Sequence, residues 1–256
     1  MRAATCIAGL LAALLALPAA PARADDLVSG LSQDQIEITS NYTGTDLVVF
    51  GAIESRNQAI GPAPRDVVVV VRGPDVTMTV RQKDRVAGLW INRHEVTLTG
   101  MPGYYYLAST RPLDKIAAKP VLARYQLGLA NLMPSGYSTH SAMEAQIYAN
   151  AAVRQQARAG LYQETAKGID FLSYSLFRVR VPVPAGVPRG QYTAEVFLFQ
   201  NGNVVSAQST PLFVDQIGLE RRLFGFAHQW PLAYGVATVL MALLLGWISS
   251  FVFRRQ

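Results

Sequence analysis

Residue types that carry chemistry are sparse in this chain and are not grouped. Its three histidines, His94, His140 and His228, stand far apart, and Cys6 is its one cysteine. A metal centre needs His, Cys or carboxylates converging at short spacing. His94-Glu95 lacks the second histidine of a zinc-protease helix and sits in strand-like sequence. Ser138-Thr139-His140 places hydroxyls beside an imidazole, but neighbours in sequence seldom build a triad. No Gly-x-Ser-x-Gly elbow and no phosphate-cradling glycine loop accompanies them. These patterns predict no catalytic residue, no metal site and no cofactor, hence a protein that is not an enzyme. A hydrolase with an unfamiliar site is the competing reading.

Two other groupings could support recognition. Trp90 and the Tyr104-Tyr105-Tyr106 run offer aromatic faces, with Arg93 and Arg111 nearby to meet an anion. In a strand Tyr104 and Tyr106 face one way and Tyr105 the other. One face is then core and the other a candidate ligand or partner surface, with core packing alone as the alternative. Near the C-terminus, Thr238, Ala242, Gly246 and Ser250 recur every fourth residue. They line one ridge of a helix, where small residues let a second helix approach closely. The competing reading is ordinary membrane-helix composition.

The elements that hold these groups divide into two ends and a middle. From Leu223 to Phe253 there is no charged residue. A helix over 229–253, rising about 1.5 Å per residue, is long enough to cross a hydrocarbon layer about 30 Å thick. Residues 254–256 then form a short cytoplasmic tail, with Arg254 and Arg255 on the side that basic residues favour and Arg221 and Arg222 on the other flank. At the N-terminus, Arg2 precedes the apolar stretch Cys6 to Leu17, and Ala22-Arg23-Ala24 has the small-x-small form of a cleavage site. Residues 1–24 therefore read as a signal peptide, residues 25–222 as an exported domain. Removing the leader takes Arg2 and Arg23 and no acid, so the formal charge drops from +6 to +4. It also takes Cys6, so the mature chain has no disulfide and no thiolate, and its fold rests on its core. Scattered basic residues and an export signal exclude nucleic acid as a partner.

The exported part reads as mainly β. Ile36, Ile38 and Leu47 to Phe50 flank the turn composition Asn41-Tyr42-Thr43-Gly44. Val67 to Val71 is a strand covered on both faces. Val76, Met78 and Val80 alternate with polar residues, and further strands are expected at Val86 to Ile91, Val96 to Thr99 and Tyr104 to Ala108. A helical insertion follows at about 112–165. Pro112 starts a helix that Thr110 can cap, and Pro120 restarts it with Val121, Tyr125, Leu129 and Leu132 at helical spacing. Ser141 and Glu144 have capping-box spacing. They open a helix to about Tyr162 with stripes at Met143, Ile147, Ala151 and at Val153, Ala157, Leu161. Strands return after Asp170, and Asn201-Gly202-Asn203 marks a hairpin. These last three strands, with Tyr192 after a proline-rich corner, are those of an immunoglobulin-like β-sandwich.

The segments LSQDQIEITSNYTGTDLVVFGAI, RVAGLWINR, LASTRPL, GLYQETAKGIDFLSYSLFRVRVPVP and HQWPLAYGVATVLMALLLGWISSFVFRR resemble the putative transmembrane protein family of alphaproteobacteria. The resemblance runs from Leu31 to Arg255. It implies a bacterial inner-membrane protein facing the periplasm, and it points to permeases of the sulfite-exporter type as partners. It carries over no catalytic residue. The expectation is a membrane-anchored periplasmic accessory or interaction protein, its helix pairing with a multi-span protein or a second copy. The alternative is a domain that binds a small solute or anion near Trp90. The leader generates a direct test. N-terminal sequencing of the chain from its native host should find Asp25 first; a chain beginning at Met1 would be an uncleaved anchor.

Overall fold

Five consecutive valines leave a strand no polar face, so both its sides must be buried. The computed structural model describes residues 26–39, 42–54, 65–139, 141–216 and 227–253. The expected leader and cleavage site, Asn41, His140, Arg221, Arg222, Arg254 and Arg255 lie outside these. Val67 to Val71 are at most 1% exposed. Their strand lies inside a six-stranded sheet that is the middle layer of the protein.

In chain order the first strands are β1 (Asp26–Leu31), β2 (Gln35–Ile38), β3 (Thr45–Glu54), β4 (Arg65–Arg72), β5 (Asp75–Val86), β6 (Leu89–Pro102) and β7 (Tyr105–Ser109). Short helices α1 (Leu113–Ile116) and α2 (Lys119–Arg124) follow, then β8 (Gly136–Tyr137) and the long helix α3 (Ala142–Arg158). The chain continues through β9 (Tyr162–Ala166), β10 (Asp170–Phe171), β11 (Leu176–Val183), β12 (Gly190–Gln200) and β13 (Asn203–Gln216) to the apolar helix α4 (Pro231–Phe253). The strands form three sheets, ordered β1-β3-β11-β10, β2-β13-β12-β4-β7-β9 and β5-β6-β8. The protein is thus mainly β with one C-terminal apolar helix.

Strand alternation splits the valines of β4 between two cores. Val67, Val69 and Val71 join Leu47, Val49, Phe177 and Val179 of the four-stranded sheet. Val68 and Val70, beside Phe197 and Leu107 in the same sheet, join Leu98 and Ala149 and Ala152 of α3. Each valine so buried contributes roughly 1.5–3 kcal/mol relative to exposure. The helical insert is a crossover. β7 and β9 pair in parallel, Tyr105 with Tyr162 through Ser109 with Ala166. Parallel neighbours cannot be joined by a tight turn, so the chain returns through the helices.

The insert differs from its sequence pattern in three places. Thr110 does not cap α1; its hydroxyl donates to Asp66 at 2.8 Å. Helix α2 stops at Arg124 because Gln126 adopts φ 50°. Leu129 therefore lies in a separate 3-10 turn, Leu129–Asn131. In α3, Ser141 does cap, accepting from the Glu144 N–H at 3.4 Å. Glu144 itself accepts from the Thr139 hydroxyl rather than closing the expected box. The buried stripe is Ala145, Tyr148, Ala149, Ala152 and Val153, which leaves Met143 and Ile147 78% and 62% exposed. Three alanines let the helix lie close to its neighbours, and Tyr148 reaches Gln82 at 3.3 Å. Small size and a polar tip outweigh the hydrophobicity of Met143 and Ile147.

Arg72 fixes this insert to the sheet. Its Nε donates to Glu195 at 3.1 Å, and its Nη2 donates to the Tyr125 and Gln126 carbonyls at 2.8 and 3.1 Å. Those carbonyls end α2, where a cation is favoured. The guanidinium also lies 5.5 Å from the Tyr105 ring centre. Tyr105 completes the join, donating to Gln126 O at 3.1 Å and accepting from Gly128 N–H at 2.9 Å. Arg72→Met should cost about 2–3 kcal/mol in denaturant unfolding, the scale of charged hydrogen bonds lost from a largely buried site. An unchanged midpoint would show that the contacts carry no net stability.

Candidate functional site

The sheet that carries the tyrosine run has a core on each side, so neither face of it is a recognition surface. Tyr104 and Tyr106 point into one core, Tyr105 into the other, all 5% exposed or less. Buried phenols need partners. Tyr104 donates to Pro182 O at 2.5 Å, Tyr162 to Pro102 O at 2.5 Å and Tyr192 to Pro188 O at 2.6 Å. Tyr42 donates to Val183 O at 2.9 Å. These hydroxyls tie proline-bearing corners to the cores.

The five residues grouped from sequence do not form one site: Tyr104 and Tyr106 share a core, and the other three lie elsewhere. Arg111 lies beyond β7 and forms a two-point ion pair with Asp66, to which Thr110 also donates. Burial alone would raise the Asp66 carboxyl, but the Arg111 and Thr110 hydrogen bonds and the Arg111 charge hold it below its usual range. Arg93 lies on β6 with its guanidinium 3.6 Å from Asp84. Trp90, near the start of β6, is 68% exposed.

Trp90 belongs to a feature the sequence pattern concealed. A single strand was expected over Val86 to Ile91. Instead Ala87 and Gly88, with φ 52° and 86°, form a two-residue turn that joins β5 to β6. Positive φ at both positions matches the right-handed twist of the flanking strands. The result is a long ribbon whose outer part, from Arg81 to Glu95, is largely exposed. At its tip Asp84 pairs with Ile91, Arg85 with Trp90 and Val86 with Leu89. Val86, Leu89, Trp90 and Ile91 are all exposed apolar groups. The sequence signal for this turn was Ala-Gly between two apolar pairs, weaker than the Asn201-Gly202 that joins β12 to β13.

Helix α4 is the second exposed apolar feature. None of the residues in its span Pro231–Ser250 is buried by the rest of the protein. The small ridge of Thr238, Ala242, Gly246 and Ser250 is on this helix as expected. Thr238 satisfies its own hydroxyl by donating to Gly235 O at 2.8 Å, so it adds no unpaired polar group. A Cβ added at Gly246 would meet nothing within 4 Å. The ridge is open to a neighbour.

Polar convergence is slight elsewhere. An open groove of about 670 Å³ is lined by Gln35, Arg189, Phe213 and Asp215, among others. Among the described residues, no three His, Cys, Asp or Glu side chains lie close enough to hold a metal.

A β-rich domain followed by one apolar helix long enough to cross a bilayer defines a single-span membrane protein. Over residues 26–255 the chain matches the family described as "Putative transmembrane protein" (Alph_Pro_TM), and it belongs to that family. Comparison with curated proteins finds no match.

The buried phenols set an alkaline limit on the fold. Burial raises the Tyr104, Tyr105, Tyr162 and Tyr192 hydroxyls well above the ordinary 10.0. In the unfolded chain they ionise near that value, while the folded chain keeps their protons. Stability is therefore complete below pH 10 and falls as pH rises beyond it. Titration above pH 10 should show tyrosinate absorbance appearing together with loss of the β circular dichroism signal. Tyrosinate growing in fully at constant ellipticity would contradict this.

Proposed function

We propose that this is a non-enzymatic accessory protein of the bacterial inner membrane. A leader over residues 1–24 exports the β domain to the periplasm, and α4 holds it at the membrane. The observation that carries this reading is where the free apolar surface lies. The cores on both sides of the middle sheet are closed, while α4 and the ribbon tip present apolar side chains outward. Such surfaces beside closed cores are contact sites; a smaller exposed group, Phe171, Leu172, Tyr174 and Leu176, lies at the β10–β11 hairpin. The immunoglobulin-like reading of the domain has support in the order β1-β3-β11-β10 opposite β2-β13-β12-β4, and in the Tyr192 hydroxyl bonding four residues back to Pro188 O. The partner suggested by the family resemblance is a multi-span permease, with self-association as the other possibility. A solute or anion site built from Trp90, Arg93 and the tyrosines has no support in the geometry. The phenols are buried, and Arg93 and Arg111 face carboxylates.

The open ridge of α4 tests the partner. Lipid gives no hydrophobic drive for helices to associate, so close packing must supply it. Gly246→Leu should weaken association several-fold when the native complex is purified in mild detergent, with membrane insertion intact because leucine inserts readily. Leu243→Ala, off that ridge, should matter less. Equal recovery of the partner with Gly246→Leu would reduce α4 to an anchor.

A further inference from the structure

The ribbon tip has a composition and a geometry that a flat protein partner does not explain. Leu89, Trp90 and Ile91 are consecutive in β6, so their side chains alternate between the two faces of the ribbon. All three are exposed, at 70%, 68% and 43%. A partner docked on one face would cover only one set. Apolar groups on both faces suit immersion in a fluid. On β6 the apolar run Leu89 to Ile91 covers roughly 10 Å at strand rise, while on β5 only Val86 is apolar and Arg85 and Asp84 stand opposite Trp90 and Ile91, a mixed end that suits the headgroup and acyl boundary of a bilayer.

Charge begins one pair back from the turn, with Arg85 opposite Trp90 and Asp84 opposite Ile91. The outer ribbon carries Arg81, Lys83, Arg85 and Arg93 against Asp84 and Glu95. Both carboxylates are engaged, Asp84 by Arg93 at 3.6 Å and Glu95 by Arg81 at 3.0 Å. The side chains of Lys83 and Arg85, on either side of the paired Asp84, have no carboxylate partner among the described residues. An aromatic tip backed by free cations is the chemistry of an anionic lipid surface. We propose that the β5–β6 tip inserts into the anionic headgroup layer of the membrane that α4 spans, giving the domain a second point of attachment. This rests on the reading of α4 as a span. Ten residues separate Gln216 from Ala227, a tether that reaches at most roughly 35 Å. The domain therefore stays within that distance of the start of α4.

The chain has three tryptophans, Trp90, Trp230 and Trp247, so fluorescence can report each attachment separately. The full chain is placed in vesicles of phosphatidylglycerol and phosphatidylcholine with brominated acyl chains. A Trp90-only version carries Trp230→Phe and Trp247→Phe; a Trp247-only version carries Trp90→Phe and Trp230→Phe. Both should be quenched by the bromines. Quenching of Trp90 alone should fall when phosphatidylglycerol is omitted, and with Lys83→Glu and Arg85→Glu, by roughly fivefold in bound population per cation removed. Trp90 open to acrylamide and unquenched by bromine, with Trp247 quenched, overturns the tip insertion but not the anchor. Trp90 shielded from acrylamide yet unquenched by bromine overturns it in favour of a protein surface. Trp247 unquenched overturns the anchored reading, and this proposal with it.

Discussion

The covering of strand β4 on both faces is the constraint from which the rest of the architecture follows. A sheet with one apolar side needs one partner layer; this one needs two. The four-stranded sheet covers Val67, Val69 and Val71, and the helices with the third sheet cover Val68 and Val70. The insert is therefore a structural layer as well as a connection. Without α3 and the base of the β5–β6 ribbon, half of the apolar surface of β4, β7 and β12 would face water. Arg72 matters because it sits where that second layer meets the sheet, linking a β12 carboxylate, two α2 carbonyls and the Tyr105 ring.

Proline-rich corners create a second demand, and the tyrosines meet it. Proline cannot donate a backbone hydrogen bond, so Pro182, Pro184 and Pro188 contribute no donor where β11 ends and the corner to β12 begins. Tyr104, Tyr162 and Tyr192 each donate to a proline carbonyl from within a core. The hydroxyl holds the corner, and the ring fills the space beneath it. The same side chain that looks like a ligand platform in sequence is thus committed to internal structure.

How much could be read from sequence depended on whether local pattern and tertiary context agreed. The valine run, the Asn201-Gly202 turn, the Ser141 cap and the apolar tail each carry one reading, and the structure follows it. The Tyr104 to Tyr106 alternation was legible, but whether its second face is covered depends on α3, more than thirty residues away in sequence. The stripe of α3 was misread because hydrophobicity ranks Met143 and Ile147 above alanine, whereas close approach favours the alanines. The ribbon was concealed by a turn of only Ala87 and Gly88 inside an apolar stretch. A one-residue uncertainty there separates one buried strand from an exposed hairpin tip. The grouping of Trp90 with Arg93, Arg111 and the tyrosines failed for a related reason. Nearness in sequence placed them together, while the ribbon carries Trp90 away from the sheet.

The pairing of β4 also sets a schedule. Its two neighbours are β7, which follows within forty residues, and β12, whose Glu195 lies 123 residues after Arg72. A chain that emerges N-terminus first exposes five bare valines with one edge unpaired until nearly the whole domain has appeared. Such a segment has the character of an aggregation nucleus, being rich in β-branched residues and uncharged. The strand that closes the sheet is also among the last before the membrane helix. The domain is therefore completed only shortly before α4 follows. The burden of keeping Val67 to Val71 from pairing with another molecule falls on whatever escorts the chain before residue 200 arrives.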